Sequence, residues 1–477
     1  MVVKHWLAVL AAVAISTSAT AHDDAPPIYI PTYIPHLEIA GRADPVRTLA
    51  DRMQEVNTAT VSYALIRDGA VVQQAVVGND GRSIASDLRF QAASLAKPVS
   101  ALGVLRLVAR HGLDLDADIN GYLSGWKVDY SQFGAAEKVT IRRLLSHRAG
   151  LNAHGFPGYV RGSELPSTAG VLRGEGNTDA IVLMQEPGSG YAYSGGGYTV
   201  LQLLVEEKSG LTFADYMQQE VLGPLGLEAS HFGYAGVAPF ASAHGNDGNV
   251  VEGGYRLHPE KAAAGLWTTP SDFARFLLAV DRIAAGERPD YLTPDMAAQL
   301  LAVPDGGENY ALGFGIDRGE GWDVIQHTGE NFGYRTTMFF DRLSRSGAVV
   351  FSDSELGYPI ISGLARGMAG ELGLTFMKRR LLTPVAQGTD DWALIEGDWT
   401  VPEGPLAGRS FSFMKSGDTD LHLTDLAGGE ISRFLAIGSL SFIDLDTTSP
   451  LTFSRDQNGA PQAVFAGRIV LVKMPAD

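Results

Sequence analysis

"QAASLAKPVSALGVLRLVARHGLDLD", Gln91 to Asp116, is the stretch that decides the fold. A serine, Ser94, stands three residues before a lysine, Lys97, and an apolar run begins at once. Leu95, Val99, Leu102, Val104, Leu105, Leu107 and Val108 leave no polar stripe. The spacing therefore predicts a helix over 94–111, buried nearly all round and stopped at Gly112. On a helix, positions i and i+3 share a face, which brings the hydroxyl and the amine together. A lysine on the first turn of a buried helix loses solvation, and that favours the neutral amine, a base. A serine at the positive end of the helix has a developing oxyanion stabilised. Pro98 cannot donate to the Ser94 carbonyl and helps fix where the helix starts.

The spacing alone decides little, because the chain holds three serine-x-x-lysine pairs. Ser412 and Lys415 fall in a strand-like run, where an odd separation sends side chains to opposite faces. Ser124 and Lys127 sit in a glycine-containing turn with no helix after it. Only Ser94 and Lys97 open a helix.

Working outward, "TVSYALIRDGAVVQQAVVG", Thr60 to Gly78, reads as two strands around an Asp68-Gly69 turn. Before it, Asp44-Pro45 reads as a cap and first helical residue of a helix through Gln54. From Asp114 to about Leu300 helices and long loops dominate, with "TPSDFARFLLAV" opening as a capping box at Thr269. Strand signals return in "WDVIQHTG", "YRTTMFFD" and "GAVVFSDS", and a closing helix follows over 359–373. This order implies an α+β fold, an antiparallel sheet flanked by helices plus a helical lobe, without βαβ repeats. Beyond 391, short alternating runs such as "SFSFMK" and "RIVLVKM" imply a small all-β domain, a barrel or sandwich. The expected boundaries are 1–21, 22–43 as an extended lead-in, 44–377, 378–391 as a linker, and 392–477.

The first of these, "MVVKHWLAVLAAVAISTSATA", has a short positive start, a short apolar core and a small-x-small end. That is the form of an export signal, so a periplasmic or secreted protein is expected, with no stable membrane insertion once the signal is cleaved. The 477 residues contain no cysteine, which excludes disulfides, thiol catalysis and cysteine-bound metals. A net charge of −17 argues against nucleic acid as a partner.

With "SLAKP", "HGLDLDADINGYL", "VTIRRLLSHRAGL" and "AAAGLWTTPSDFARF" in this order, the chain resembles the serine β-lactamases and penicillin-binding proteins. Within them it resembles the class C β-lactamase-like group, which includes D-aminopeptidases and esterases. The likeness runs from about Asp44 to Gly373. It implies a β-lactamase/transpeptidase-like fold, a covalent acyl-enzyme on Ser94 with Lys97 as base, and no cofactor. The group's second motif, Tyr-x-Asn, is matched by Tyr193-Ser194-Gly195, with glycine in place of asparagine. A phenol beside an ammonium is expected to have a lowered pKa, which makes Tyr193 a second general base. The third motif, Lys-Thr-Gly, is matched by His327-Thr328-Gly329. Gly329 lets substrate backbone lie close, and the amides of Glu330 and Ser94 form the oxyanion hole. Histidine is mostly neutral at pH 7 and holds a substrate carboxylate less firmly than lysine.

Both departures point away from β-lactams and toward esters, D-residues or short peptides. Three readings stand at this point: such a hydrolase, a true β-lactamase, and a non-catalytic cell-wall-binding protein of the same fold. A fourth, an α/β-hydrolase elbow with Ser194 as nucleophile in "AYSGG", needs a strand before it and finds a loop. The partner expected is a small-molecule or peptide substrate. Oligomeric state and the acyl group accepted are left open.

Overall fold

Seven strands form one sheet: β1 (Thr60–Arg67), β2 (Ala70–Gly78), β3 (Ser83–Ile84), β4 (Gly315–Gly319), β5 (Trp322–Asn331), β6 (Tyr334–Asp341) and β7 (Ser346–Ser352). They lie in the order β3-β2-β1-β7-β6-β5-β4, and every neighbouring pair is antiparallel. The computed structural model describes residues 30–43, 48–84, 87–134, 136–233, 238–305, 308–403, 406–427 and 429–475. The expected export signal and the Asp44-Pro45 helix start lie outside these residues. The helix read from Asp44 runs Leu49–Glu55, and its cap is Thr48, which exchanges hydrogen bonds with Asp51 in a capping box.

The β1–β2 hairpin turns at Asp68 and Gly69, both with positive φ (50° and 78°), the backbone such a tight turn demands. Along β1 the side chains alternate. Ala64 and Ile66 join the core under the helical lobe, whereas Val61, Tyr63 and Leu65 join a second core on the other face. That second core is closed by Leu49 and Met53 and by Ile360, Leu364 and Met368 of the helix Tyr358–Glu371. The sheet is therefore covered on both faces, which is why β1 reads as an almost continuous apolar run.

On the lobe side, α1 (Ala96–His111) runs through the core, with every residue from Ala96 to Leu105 buried. It follows a single 3-10 turn, Ala93–Leu95, and ends at Gly112 in the left-handed conformation (φ 61°). Ser94 thus sits just before the α-helix rather than within it. At Gly103 a Cβ would stand 2.5 Å from Met217 Sδ, so this glycine lets the helix Phe213–Met217 approach. Two further helices enclose α1's surroundings: α2 (Gly195–Ser209) and α3 (Pro270–Ala284), the latter capped by Thr269 with proline at its start.

A closed eight-stranded barrel runs from Gly397–Thr400 to Ile469–Lys473 around its own core of Trp399, Phe413, Phe434 and Phe453. Between sheet and barrel, Arg380–Leu382 pairs in parallel with Leu37–Ile39. These segments meet Leu435 and Ile443 of the barrel in a small apolar cluster. Arg42 adds paired hydrogen bonds to Asp420 at 2.7 and 2.6 Å. Among the described residues no helix is long and apolar enough to cross a membrane.

Candidate active site

The 3-10 turn before α1 is strained. Ala93 has φ 52°, in the left-handed region that non-glycine residues rarely occupy. It is held there by fixed neighbours: Ala92 N–H donates to the Leu266 carbonyl (2.8 Å), and Thr336 Oγ1 donates to the Ala92 carbonyl (3.0 Å). The turn leaves Ser94 half-buried on the wall of a cleft of about 970 Å³, with Tyr193 and His327 also lining it.

Lys97 is 2% exposed. Its Nζ donates to Ser94 Oγ at 3.0 Å and to the Ala263 carbonyl at 3.0 Å. Burial pushes its pKa down to about 7, so half or more of the amine is neutral at that pH and above. The Ala263 acceptor is itself fixed, because Ala262 N–H donates to Gln202 Oε1 (3.0 Å), and Gln202 Nε2 donates to Thr168 Oγ1 and the Pro259 carbonyl. The serine and lysine expected to meet do meet, in surroundings that supply a base.

Tyr193 completes the group. Its phenol stands beside Ser94, whose hydroxyl lowers its pKa somewhat, and Lys97 Nζ lies 4.9 Å from its ring centroid. Its pKa does not fall as expected. Burial drives it well up, and the Ser94 hydroxyl offsets only part of that. The phenol is itself almost wholly enclosed, and burial penalises a phenolate more than its neighbours stabilise one. Tyr193 therefore favours its protonated form, while Lys97 favours its neutral one. The ring of His147 stacks 4.1 Å from Tyr193, and its Nδ1 accepts the Ser194 N–H (3.1 Å), anchoring the start of α2.

Ser194 is fully occupied as the α2 cap: Oγ accepts Gly197 N–H (2.9 Å) and donates to the Asn152 carbonyl (2.6 Å). It is not free to act as a nucleophile. At Gly195, a Cβ would stand 2.9 Å from Phe156 Cε2 and 3.1 Å from the His154 carbonyl. The space that an asparagine side chain would need is filled by the 153–156 loop. His154, on that loop, packs 4.7 Å from Tyr193 and lines the cleft.

On β5, His327 is buried and both ring nitrogens are engaged: Nδ1 with the Thr328 carbonyl (2.6 Å) and Nε2 with Tyr310 OH (3.0 Å). A carbonyl can only accept, so Nδ1 carries the proton and Nε2 accepts from the phenol. Burial, reinforced by Lys97, pushes the pKa down to about 3. His327 is therefore a neutral, saturated side chain. Thr328 and Glu330 expose their side chains, while Gly329 is buried. A Cβ on Gly329 would stand 2.3 Å from Thr336 Oγ1, 2.6 Å from the Ala92 carbonyl and 3.0 Å from Ser94 N. Only glycine lets β5 lie this close to the serine turn.

Two supporting groups carry no motif in the sequence. Tyr310 comes from an irregular stretch before β4, and only its meeting with His327 reveals it. Asn331 Nδ2 donates to Gln91 Oε1 (2.7 Å) and to the Ala264 carbonyl (3.1 Å), tying the end of β5 to both neighbours of the serine turn. Its partners, Gln91 and Ala264, lie far away in sequence.

The model for the beta-lactamase family matches residues 46–384. The chain belongs to that family. Esterase EstB of Burkholderia gladioli is 32% identical over 215 residues, 41% of this chain and 52% of that one. A D-aminopeptidase of Gluconobacter oxydans (strain 621H) is 24% identical over 276 residues, 56% of this chain and 49% of that one. The chain thus spans about half the length of each of these curated relatives. The octameric penicillin-binding protein homologue from Pyrococcus abyssi superposes with a TM-score of 0.60 at 20% identity, covering 89% of this chain and 98% of that one. This last likeness concerns the fold. Together they establish a beta-lactamase-family serine hydrolase fold with esterase and D-aminopeptidase relatives.

Proposed function

We propose that this protein is a serine hydrolase of the class C β-lactamase-like group that works through an acyl-enzyme on esters, D-amino-acid derivatives or short peptides. The observation that carries the reading is the buried Lys97 amine 3.0 Å from Ser94 Oγ. Ser94 Oγ attacks the carbonyl carbon as Lys97 takes its proton. The oxyanion is held by the amides of Ser94 and Glu330. In support of the second donor, Asn331 and Tyr334 close a two-residue turn, and the alternation of an antiparallel pair then turns the Glu330 N–H away from β6. The tetrahedral intermediate collapses, and the proton passes through the Tyr193 hydroxyl to the leaving group. Water, deprotonated by Lys97, then releases the acyl group.

Two features favour esters and peptides over β-lactams: the filled space at Gly195 and the neutral, saturated His327. We also propose export directed by residues 1–21, and division into a hydrolase domain over 44–377 and a barrel domain over 392–477. The deciding experiment is a panel of p-nitrophenyl esters, D-amino-acid anilides and nitrocefin, with fluorophosphonate labelling of wild type and Ser94→Ala. Ester or anilide turnover with near-background nitrocefin hydrolysis is expected. Equal labelling of Ser94→Ala would remove the mechanism, and fast nitrocefin turnover would make it a β-lactamase. An N-terminus of the mature protein that still includes residues 1–21 would remove the export reading.

A further inference from the structure

We infer that Arg468, on the last turn of the barrel, binds a carboxylate of the substrate and sets the enzyme's preference for anionic acyl compounds. The inference rests on the hydrolase reading above and narrows its substrate class. Strands Pro461–Phe465 and Ile469–Lys473 pair up to Phe465 and Ile469, and the intervening turn holds Ala466 and Gly467 at φ 51° and 70°. That turn brings Arg468 to the wall of the cleft that Ser94 and His327 also line. Its charge is felt inside: with burial and Lys97, it lowers the pKa of His154, whose ring packs on Tyr193.

The charges around the cleft leave this arginine a distinct role. Among the described residues that line it, two carry permanent positive charge, Arg335 and Arg468. Arg335 is buried and spent on two carboxylates, Glu355 at 2.7 Å and Glu330 at 3.0 Å. Lys97 is enclosed and points at Ser94. His327, where the resemblance implies a cationic lysine, is neutral with both nitrogens engaged. Arg468 is exposed to the cleft, and among the described residues no carboxylate forms an ion pair with it. A guanidinium presents a planar fork that pairs with a carboxylate through two parallel hydrogen bonds. The barrel thus supplies the cation that β5 lacks.

Three chromogenic esters test this: p-nitrophenyl acetate, which is neutral; the p-nitrophenyl monoester of glutarate, with its carboxylate on the acyl side; and the acetate ester of a hydroxynitrobenzoate, with its carboxylate on the leaving side. In Arg468→Ala, the kcat/KM preference for one of the two anionic esters over the neutral one should fall about tenfold, the loss lying in KM. Arg468→Lys should restore part of it, and added salt should erode the wild-type preference. Which ester responds tells which side of the scissile bond faces the barrel. If wild type cleaves the esters and Arg468→Ala leaves both preferences unchanged, the inference is wrong and the hydrolase reading stands. If wild type cleaves none of them, the hydrolase reading falls and takes this one with it.

Discussion

At Ser124 and Lys127 the polar atoms face partners near solvent. The Ser124 hydroxyl and amide donate to Glu207 at 3.0 and 2.7 Å, and Lys127 Nζ donates to the carbonyls of Asn120 and Leu123. At Ser94 and Lys97 the same spacing lies against a core helix, no carboxylate among the described residues stands beside the amine, and burial lowers its pKa to about 7. The two regions share a motif and differ in dielectric. The motif supplies reach, while the apolar helix behind it supplies the desolvation that lowers the amine's pKa. The contrast can be broken most directly by mutating both serines. Ser94→Ala should lower ester hydrolysis by roughly a thousandfold or more and abolish fluorophosphonate labelling. Ser124→Ala should keep both, and equal losses in the two variants would mean that surroundings do not separate the pairs.

The lysines sharpen the same contrast. Lys97→Met should cost roughly a hundred- to ten-thousandfold in kcat/KM, while Lys127→Met costs little. Because the neutral amine is the active form, kcat/KM of wild type should rise with pH through about 7 and then level off. Stability carries the same signature. The folded pKa lies below the unfolded one, ~10.4 for lysine. Between these values the unfolded chain binds more protons, so stability rises with pH across that window and is lowest below about 7. Thermal melts should therefore show wild type gaining on Lys97→Met from pH 7 to 10. A gap that stays constant with pH would mean the amine titrates alike in both states.

Much of this was legible in the residues. The apolar run after Ser94, the Asp68-Gly69 turn and the strands of 322–352 each carry a local pattern, and local patterns specify local structure. The order of Ser94, Tyr193 and His327 was legible for the same reason. What could not be read depends on contacts between distant segments. The upward shift of Tyr193 and the neutrality of His327 follow from how deeply the assembled fold buries them, and the saturation of His327 from a phenol on a separate loop, Tyr310. Arg468 reaches the cleft only because a barrel closes and turns its last hairpin that way. The reciprocal Thr48–Asp51 bonds that cap the helix Leu49–Glu55 were not read from the sequence.

The close approach of β5 to the serine turn has no counterpart at Ser124, and it gives a third, smaller effect. A methyl at Gly329 would need Thr336 Oγ1 and the Ala92 carbonyl to move, and that carbonyl holds the strained Ala93 in place. Gly329→Ala should fold, lose roughly a hundredfold or less in kcat with a smaller change in KM, and slow fluorophosphonate labelling in proportion. Labelling at the wild-type rate would show that β5 does not position the serine turn.

The smallest effect is expected where the chain departs from its family at Gly195. If the missing asparagine were the only thing withholding β-lactam turnover, Gly195→Asn would confer it. The surroundings say otherwise. The backbone at Gly195 is helical, so φ raises no objection to asparagine, but Phe156 Cε2 and the His154 carbonyl already stand 2.9 and 3.1 Å from where its Cβ would go. Seating the side chain displaces the 153–156 loop, and with it the His154 ring that packs on Tyr193. Overpacking of this kind costs about 1–3 kcal/mol. Gly195→Asn should therefore unfold at lower denaturant, lose a few-fold in ester turnover and gain no measurable nitrocefin hydrolysis. A variant that is as stable as wild type and turns over nitrocefin would show that the loop yields easily, and that the site keeps the β-lactam geometry that the filled space at Gly195 is argued to have removed.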